Sequence, residues 1–172
     1  NKPYAIWVEK RAPPRKPSYG VKGVCKRFVI WYLSTSKKER WMLAEEYPKH
    51  YLRGIFDSEG SVIVQESYSS NAPKLDCRLA LYNTDLELLR FVQRLLSKLG
   101  YRSKIYKVYD AVGYAKFPEG CFPRRKAEYV LTIMKREDVK RFANEIGFTI
   151  RRKQERLQRY VTLYETYGAG IR

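Results

Sequence analysis

Asp57 and Glu59 are the acids whose placement most suggests chemistry. They close the apolar stretch Leu52-Arg53-Gly54-Ile55-Phe56-Asp57-Ser58-Glu59-Gly60. The spacing predicts a helical turn that Gly60 ends in the left-handed conformation. Carboxylates in a helix's last turn meet the negative end of its dipole, at a cost of roughly 0.3–1 kcal/mol each. Acids in so unfavourable a place suggest a cation nearby. Gly54 costs roughly 1 kcal/mol relative to alanine inside a helix. Gly54 and Ser58 are four apart on one face, which lets a second helix approach closely. Taken alone, the stretch is explained equally well as a solvated helix end.

The composition supplies a partner for such a site. The 172 residues carry 35 Lys+Arg against 18 Asp+Glu, a net charge of +17, with 15 tyrosines. That excess points to a polyanion, and nucleic acid fits best. No stretch approaches the roughly 18 apolar residues of a membrane span, and no amphipathic membrane-surface helix stands out. Cys25, Cys77 and Cys121 are far apart, with neither a CxxC pair nor zinc spacing. They read as reduced thiols of a cytoplasmic protein. His50 is the sole histidine, which excludes a histidine-based nuclease finger.

The elements that position the acids follow from patterning. Tyr4 to Lys10 and Lys26 to Leu33 read as strands, with a Pro- and Gly-rich loop from Arg11 to Gly23 between them. Arg15 and Lys16 in that loop suit phosphates. Ser36 caps a short helix through Tyr47, with Glu39 completing a capping box. Pro48 marks the boundary between an N-terminal basic hairpin extension, 1–47, and a core, 48–172. In the core, strands are expected over Ser61 to Tyr68, Asp76 to Tyr82, Arg102 to Asp110 and Lys126 to Met134. Helices are expected from Thr84 to Leu99, from Glu137 to Gly147 and from Arg151 to Tyr167. Gly113 to Arg125 reads as a long loop with a basic end, Arg124 and Arg125. This is an α+β domain, one antiparallel sheet with its helices on one face.

The other sheet face is then free. Alternation places Ser61, Ile63, Gln65 and Ser67 on it, with Asp76 and Arg78 from the next strand. Such a polar ribbon fits the DNA major groove, and Arg and Gln suit guanine and adenine edges. Lys104 and Lys107 have opposite parity, which leaves open which of them shares that face. An ordinary solvated sheet face has the same pattern, and the +17 charge favours DNA.

Leu52 to Gly60 resembles the LAGLIDADG motif in the form LRGIFDSEG, with both glycines and both acidic positions matching. The order that follows is similar to that family's αββαββα core with its saddle-shaped antiparallel sheet. The resemblance covers about residues 48 to 165. It implies a homing endonuclease, intron-encoded in type, with a second motif helix packed against Gly54 and Ser58. It also implies a divalent metal, Mg²⁺, on Glu59, with the Ser58 carbonyl as a further ligand. Asp57 matches the family's structural acid and ranks below Glu59 among the metal ligands. Glutamate at Glu59 departs from the consensus aspartate but keeps an oxygen ligand. Catalytic partners are expected at Asn83, near the metal-bound water, and at Arg151 first and Lys153 second. The chain holds one motif, so the resemblance implies a homodimer on a long, nearly palindromic double-stranded DNA site. An RNA maturase or a non-cleaving DNA-binding protein of the same fold is the rival reading. A basic ribosomal-type RNA-binding protein explains the charge but not the motif.

Overall fold

In the computed structural model, which describes residues 4–9, 18–23, 25–69, 72–117, 120–123 and 126–167, the chain divides into two units, 1–43 and 44–172. The first begins with a hairpin. Strands β1 (Tyr4–Glu9) and β2 (Ser18–Gly23) pair antiparallel, Tyr4 opposite Gly23 and Glu9 opposite Ser18. The stretch expected to be a second strand, Lys26 to Leu33, is instead helix α1 (Lys26–Ser34). Its run of Phe, Val, Ile, Trp, Tyr and Leu has no two-residue alternation, and a short apolar run is ambiguous between strand and helix. β2 lies inside the stretch expected to be loop. Arg15 and Lys16 fall outside the described residues.

Helix α2 (Lys37–Glu46) crosses the division between units and has the expected capping box. The Ser36 amide donates to Glu39 Oε2 at 2.7 Å, and the Glu39 amide donates to Ser36 Oγ at 3.2 Å. The motif helix, α3 (Pro48–Glu59), starts with proline in its first turn, where the missing amide costs nothing. After it come β3 (Gly60–Ser69), β4 (Ala72–Asn83), α4 (Leu86–Lys98) and β5 (Lys104–Tyr109). A small hairpin, β6 (Tyr114–Phe117) and β7 (Gly120–Pro123), replaces the expected long loop. Gly113 and Gly120, at φ 122° and 139°, supply the left-handed backbone that punctuates these short strands. Then come β8 (Glu128–Ile133), α5 (Arg136–Glu145) and α6 (Arg151–Tyr167).

The main sheet is antiparallel throughout, in the order β3-β4-β8-β5. Its inner face contributes Leu79, Leu81, Leu131 and Ile133 to the core. The helices contribute Leu52 and Phe56, Leu89 and Leu96, Val139 and Phe142, and Leu157. Phe56 and Phe142 meet edge-on, ring centres 4.9 Å apart. These are the residues that helical and alternating periodicity single out.

A recurring device seals helix C-termini. The last carbonyls of a helix lack intrahelical donors and sit at its negative end. Arg40 donates to the Tyr32 and Thr35 carbonyls at the end of α1, and Lys98 donates to Glu45 O of α2. Arg141 reaches Leu99 O and Gly100 O after α4, and Arg53 reaches Ile146 O after α5. Lys153 serves α3 in the same way.

At the start of α4 the expected Thr84 cap is corrected by one residue. Asp85 is the N-cap, its Oδ1 accepting from the Leu88 amide at 3.0 Å. Asn83 Oδ1 accepts from the Asp85 amide at 2.8 Å, so Asn83 belongs to the same turn.

Candidate active site and nucleic-acid face

The end of α3 and the start of α6 hold each other. Asp57 accepts from the Thr149 amide at 3.0 and 3.1 Å and from the Ile150 amide at 3.2 Å. These amides lie just ahead of α6, where free N–H groups favour a carboxylate. In return, Lys153 Nζ donates to Phe56 O at 3.0 Å and Asp57 O at 2.6 Å. Burial holds the Lys153 ammonium below its usual pKa, while Asp57 and Glu59 pull it back up. Gln154 Oε1 accepts from the Phe148 amide at 2.8 Å and steadies the turn at Gly147, φ 62°.

Gly60 does not take the left-handed conformation expected of it. It lies at φ −81° and ψ 153°, already extended into β3. Space is what requires glycine here. A Cβ at Gly60 would lie 2.4 Å from Phe56 O and 2.8 Å from Phe56 Cα. The motif helix thus passes into the sheet without a linker.

Beyond this join lies an open cleft of about 290 Å³, lined by Glu59, Ser58, Ser61, Arg152, Lys153 and Arg156 among others. Glu59 is exposed and makes no hydrogen bond or ion pair among the described residues. Three cations therefore share a small cleft with one free carboxylate. Arg152 and Arg156 are one helical turn apart and Lys153 is adjacent, so one face of α6 supplies all three. Arg151 is excluded from that face. Its Nε pairs with Glu155 Oε1 at 2.6 Å on the exposed side. A residue's step around a helix separates the expected Arg151 from the observed Arg152. Within the segment Arg151-Arg152-Lys153-Gln154 the sequence favours Arg151 and Lys153; the cleft is lined by Arg152, Lys153 and, one turn on, Arg156.

Asn83 does not line this cleft. It shares the inner parity of Leu79 and Leu81, and its side-chain oxygen is committed to the α4 turn. Asp57, expected among the metal ligands, has both oxygens engaged by the α6 amides. Ser58 Oγ donates back to Ile55 O at 3.1 Å, which leaves its carbonyl as the group that concerns a metal. Among the described residues no three His, Cys, Asp or Glu side chains converge on one point. One exposed carboxylate with carbonyl oxygen fits Mg²⁺, which is held by one or two carboxylates plus water and substrate phosphate.

The open face of the sheet starts at this cleft. Ser61 lies opposite Ala80, Ile63 opposite Arg78 and Gln65 opposite Asp76. Ala80 pairs with Thr132 and Thr132 with Lys104, so Lys104 and Tyr106 share the face. Lys107 does not. Its register opposite Tyr129 places it on the helix side, where it lines a hollow with Arg90 and Gln93 and pairs with Asp110. Ile63, Gln65, Asp76 and Arg78 line a depression of about 270 Å³, and Arg78 Nε is buried there without a hydrogen-bond partner. Asp76 is 3.8 Å from Arg136 Nη2. Ser67 lies on β3 opposite Lys74. Arg124 and Arg125 fall outside the described residues.

At the motif helix, Gly54 is exposed, and a Cβ there would meet no atom within 4 Å. Ser58, one turn on, is also exposed.

The family model of the LAGLIDADG-like domain matches residues 46–147. An uncharacterized protein of Methanocaldococcus jannaschii is 38% identical over 128 residues, which is 74% of this chain and 43% of that protein. A DNA polymerase of Thermococcus litoralis is 28% identical over 111 residues, 64% of this chain and 6% of that protein. The chain thus spans less than half the length of these curated relatives. Among solved structures, an archaeal intron-encoded homing endonuclease complexed with DNA has 18% identity and a TM-score of 0.46, covering 70% of this chain and 67% of its own. A LAGLIDADG homing endonuclease in complex with its DNA target has 11% identity and a TM-score of 0.45, covering 67% and 34%.

Proposed function

The chain belongs to the LAGLIDADG family, and from that premise we propose that it is a site-specific, metal-dependent DNA endonuclease that works as a homodimer. The observation that carries this reading is the cleft that gathers Glu59 with Arg152, Lys153 and Arg156. A merely structural acid would be paired, as Asp57 is. Glu59 is left free beside three cations, an arrangement suited to holding a phosphodiester on the cations and a hard ion on the acid.

Glu59 and the Ser58 carbonyl would hold Mg²⁺, which would supply an activated water and stabilise the departing oxygen. Arg152 and Arg156 bind the phosphate oxygens and orient the phosphorus toward Glu59. Lys153, fixed by two carbonyls, adds positive charge that needs no reorganisation during the reaction. The open face, with Gln65, Asp76 and Arg78, reads base edges. The exposed Gly54 and Ser58 receive the same helix of a second chain, which brings a second Glu59 to the opposite strand.

The test is cleavage of duplex DNA that the protein itself selects from a randomised pool, with Mg²⁺ present. The wild type cuts, and Glu59→Gln binds the same duplex without cutting. Cleavage that survives Glu59→Gln overturns the mechanism, and binding without cleavage in the wild type leaves a non-cleaving DNA binder or maturase. Sedimentation on DNA should give two chains per duplex, and one chain per duplex rules out the dimer.

A further inference from the structure

A second cavity, of about 670 Å³, opens at the β5 edge of the sheet, where the open face (Lys104, Tyr106, Thr132) meets Ser97 of α4 and the buried Tyr101. Ser103, Lys104, Tyr106, Thr132, Met134 and Lys135 contribute to its lining, and no acidic side chain does. Arg102 also borders it, but its guanidinium and amide are bound to the buried Asp138, at 3.0 and 3.1 Å. Lys104 and Lys135 have no such commitment. Both are exposed and neither forms a salt bridge among the described residues. Tyr106 and Met134, 45% and 54% exposed, supply an apolar wall. Ser103 Oγ is buried with no hydrogen-bond partner among the described residues. Buried hydroxyls are normally paired, and one left over beside two free ammonium groups is a donor waiting for an anionic oxygen.

Register fixes the distance of this cavity from the cleavage cleft. Ser61, which lines that cleft, pairs with Ala80, Ala80 with Thr132 and Thr132 with Lys104. Three strand spacings of about 4.8 Å separate Ser61 from Lys104, about 14 Å in all. That span is about four base-pair steps of 3.4 Å.

We infer that the cavity is an anchoring site for one backbone phosphodiester of the bound DNA, about four base pairs from the scissile bond. Lys104 and Lys135 neutralise the phosphate, Ser103 Oγ donates to one of its oxygens, and Tyr106 and Met134 lie against the sugar. The inference rests on the DNA reading above and deepens it, since it assigns this end of the face to register rather than to base recognition.

The experiment measures duplex affinity against salt for the wild type, Lys104→Ala, Lys135→Ala and Ser103→Ala, with ethylation interference on the same complexes. Each lysine variant should flatten the slope of log K against log salt by part of about 0.9, the worth of one neutralised phosphate, and the double variant should lose the whole of it. It should also remove one interference signal about four base pairs from the cut, with the same loss of affinity on every sequence tested. Ser103→Ala should weaken binding and leave the slope unchanged. Unchanged slopes in both lysine variants overturn the inference, as does altered base preference at an unchanged slope. A wild type whose duplex affinity ignores salt overturns the DNA reading itself. The exposed positions of Lys104 and Lys135 make unfolding a small concern, and a thermal melt of each variant checks it.

Discussion

At the scale of single residues, the two motif acids differ in what holds them: Asp57 is bound by backbone amides, and Glu59 is exposed. Asp57 holds the Thr149 and Ile150 amides just ahead of α6 with hydrogen bonds, so Asp57→Ala should cost about 1 kcal/mol, the net worth of a typical hydrogen bond. In a chain of this size that lowers the melting temperature by about 2–4 °C, which calorimetry will show. Glu59→Gln breaks no hydrogen bond or ion pair among the described residues and should move the melting temperature less than Asp57→Ala does. Gly60→Ala should be among the most damaging substitutions of the motif, because the added methyl meets backbone rather than a side chain that can swing away. A loss of about 1–3 kcal/mol, typical of overpacking, is expected in urea titration. The helix end at Gly60 is legible in the sequence because it is tied to one local turn, but its extended conformation is not, since the need for glycine comes from the packing of Phe56. That Arg152 rather than Arg151 lines the cleft is not legible, because the rotation of α6 is set by the packing of Leu157, Tyr160 and Val161. The place of Asn83 in the α4 turn follows from a local choice. Cap choice between Thr84 and Asp85 turns on side-chain reach, and the longer-range carboxylate won.

At the scale of elements, the periodic segments were readable and the short apolar or glycine-rich ones were not. α4 and α5 follow their apolar spacing, and β3, β4 and β8 their alternation. α1 was misread because consecutive aromatic and β-branched residues satisfy either period. β6 and β7 were missed because four-residue strands between glycines resemble a loop. The α3 surface offers a test that separates local propensity from assembly. Gly54→Ala introduces a methyl that nothing among the described residues opposes, so it should stabilise the isolated chain by about 0.5–1 kcal/mol. The same methyl should weaken self-association if a second α3 packs there. Denaturation at low concentration and sedimentation at high concentration will show opposite signs. Equal dimerisation in wild type and variant means that the interface lies elsewhere.

At the scale of the whole molecule, the large positive charge serves two purposes that composition cannot distinguish. Some cations bind the fold together, as in the cluster around α5. Arg141 and Lys49 hold the Glu145 carboxyl below its ordinary value of 4.5, at 3.1 and 3.3 Å. A depressed acid gives stability that is complete above its unfolded value and is lost as pH falls through the lower folded one. Glu145→Gln should therefore show a smaller drop in urea midpoint between neutrality and acid than the wild type does. The cationic seals on α1 through α5 belong to the same structural share of the charge, and they divide the lysines by chemical reactivity. An amine-directed acetylating reagent needs an unencumbered amino group. Lys153, half-buried with its ammonium on two carbonyls, should label slowly in the native protein, whereas Lys104 and Lys135 should label quickly. Bound DNA should then slow the second group and leave the first as it was.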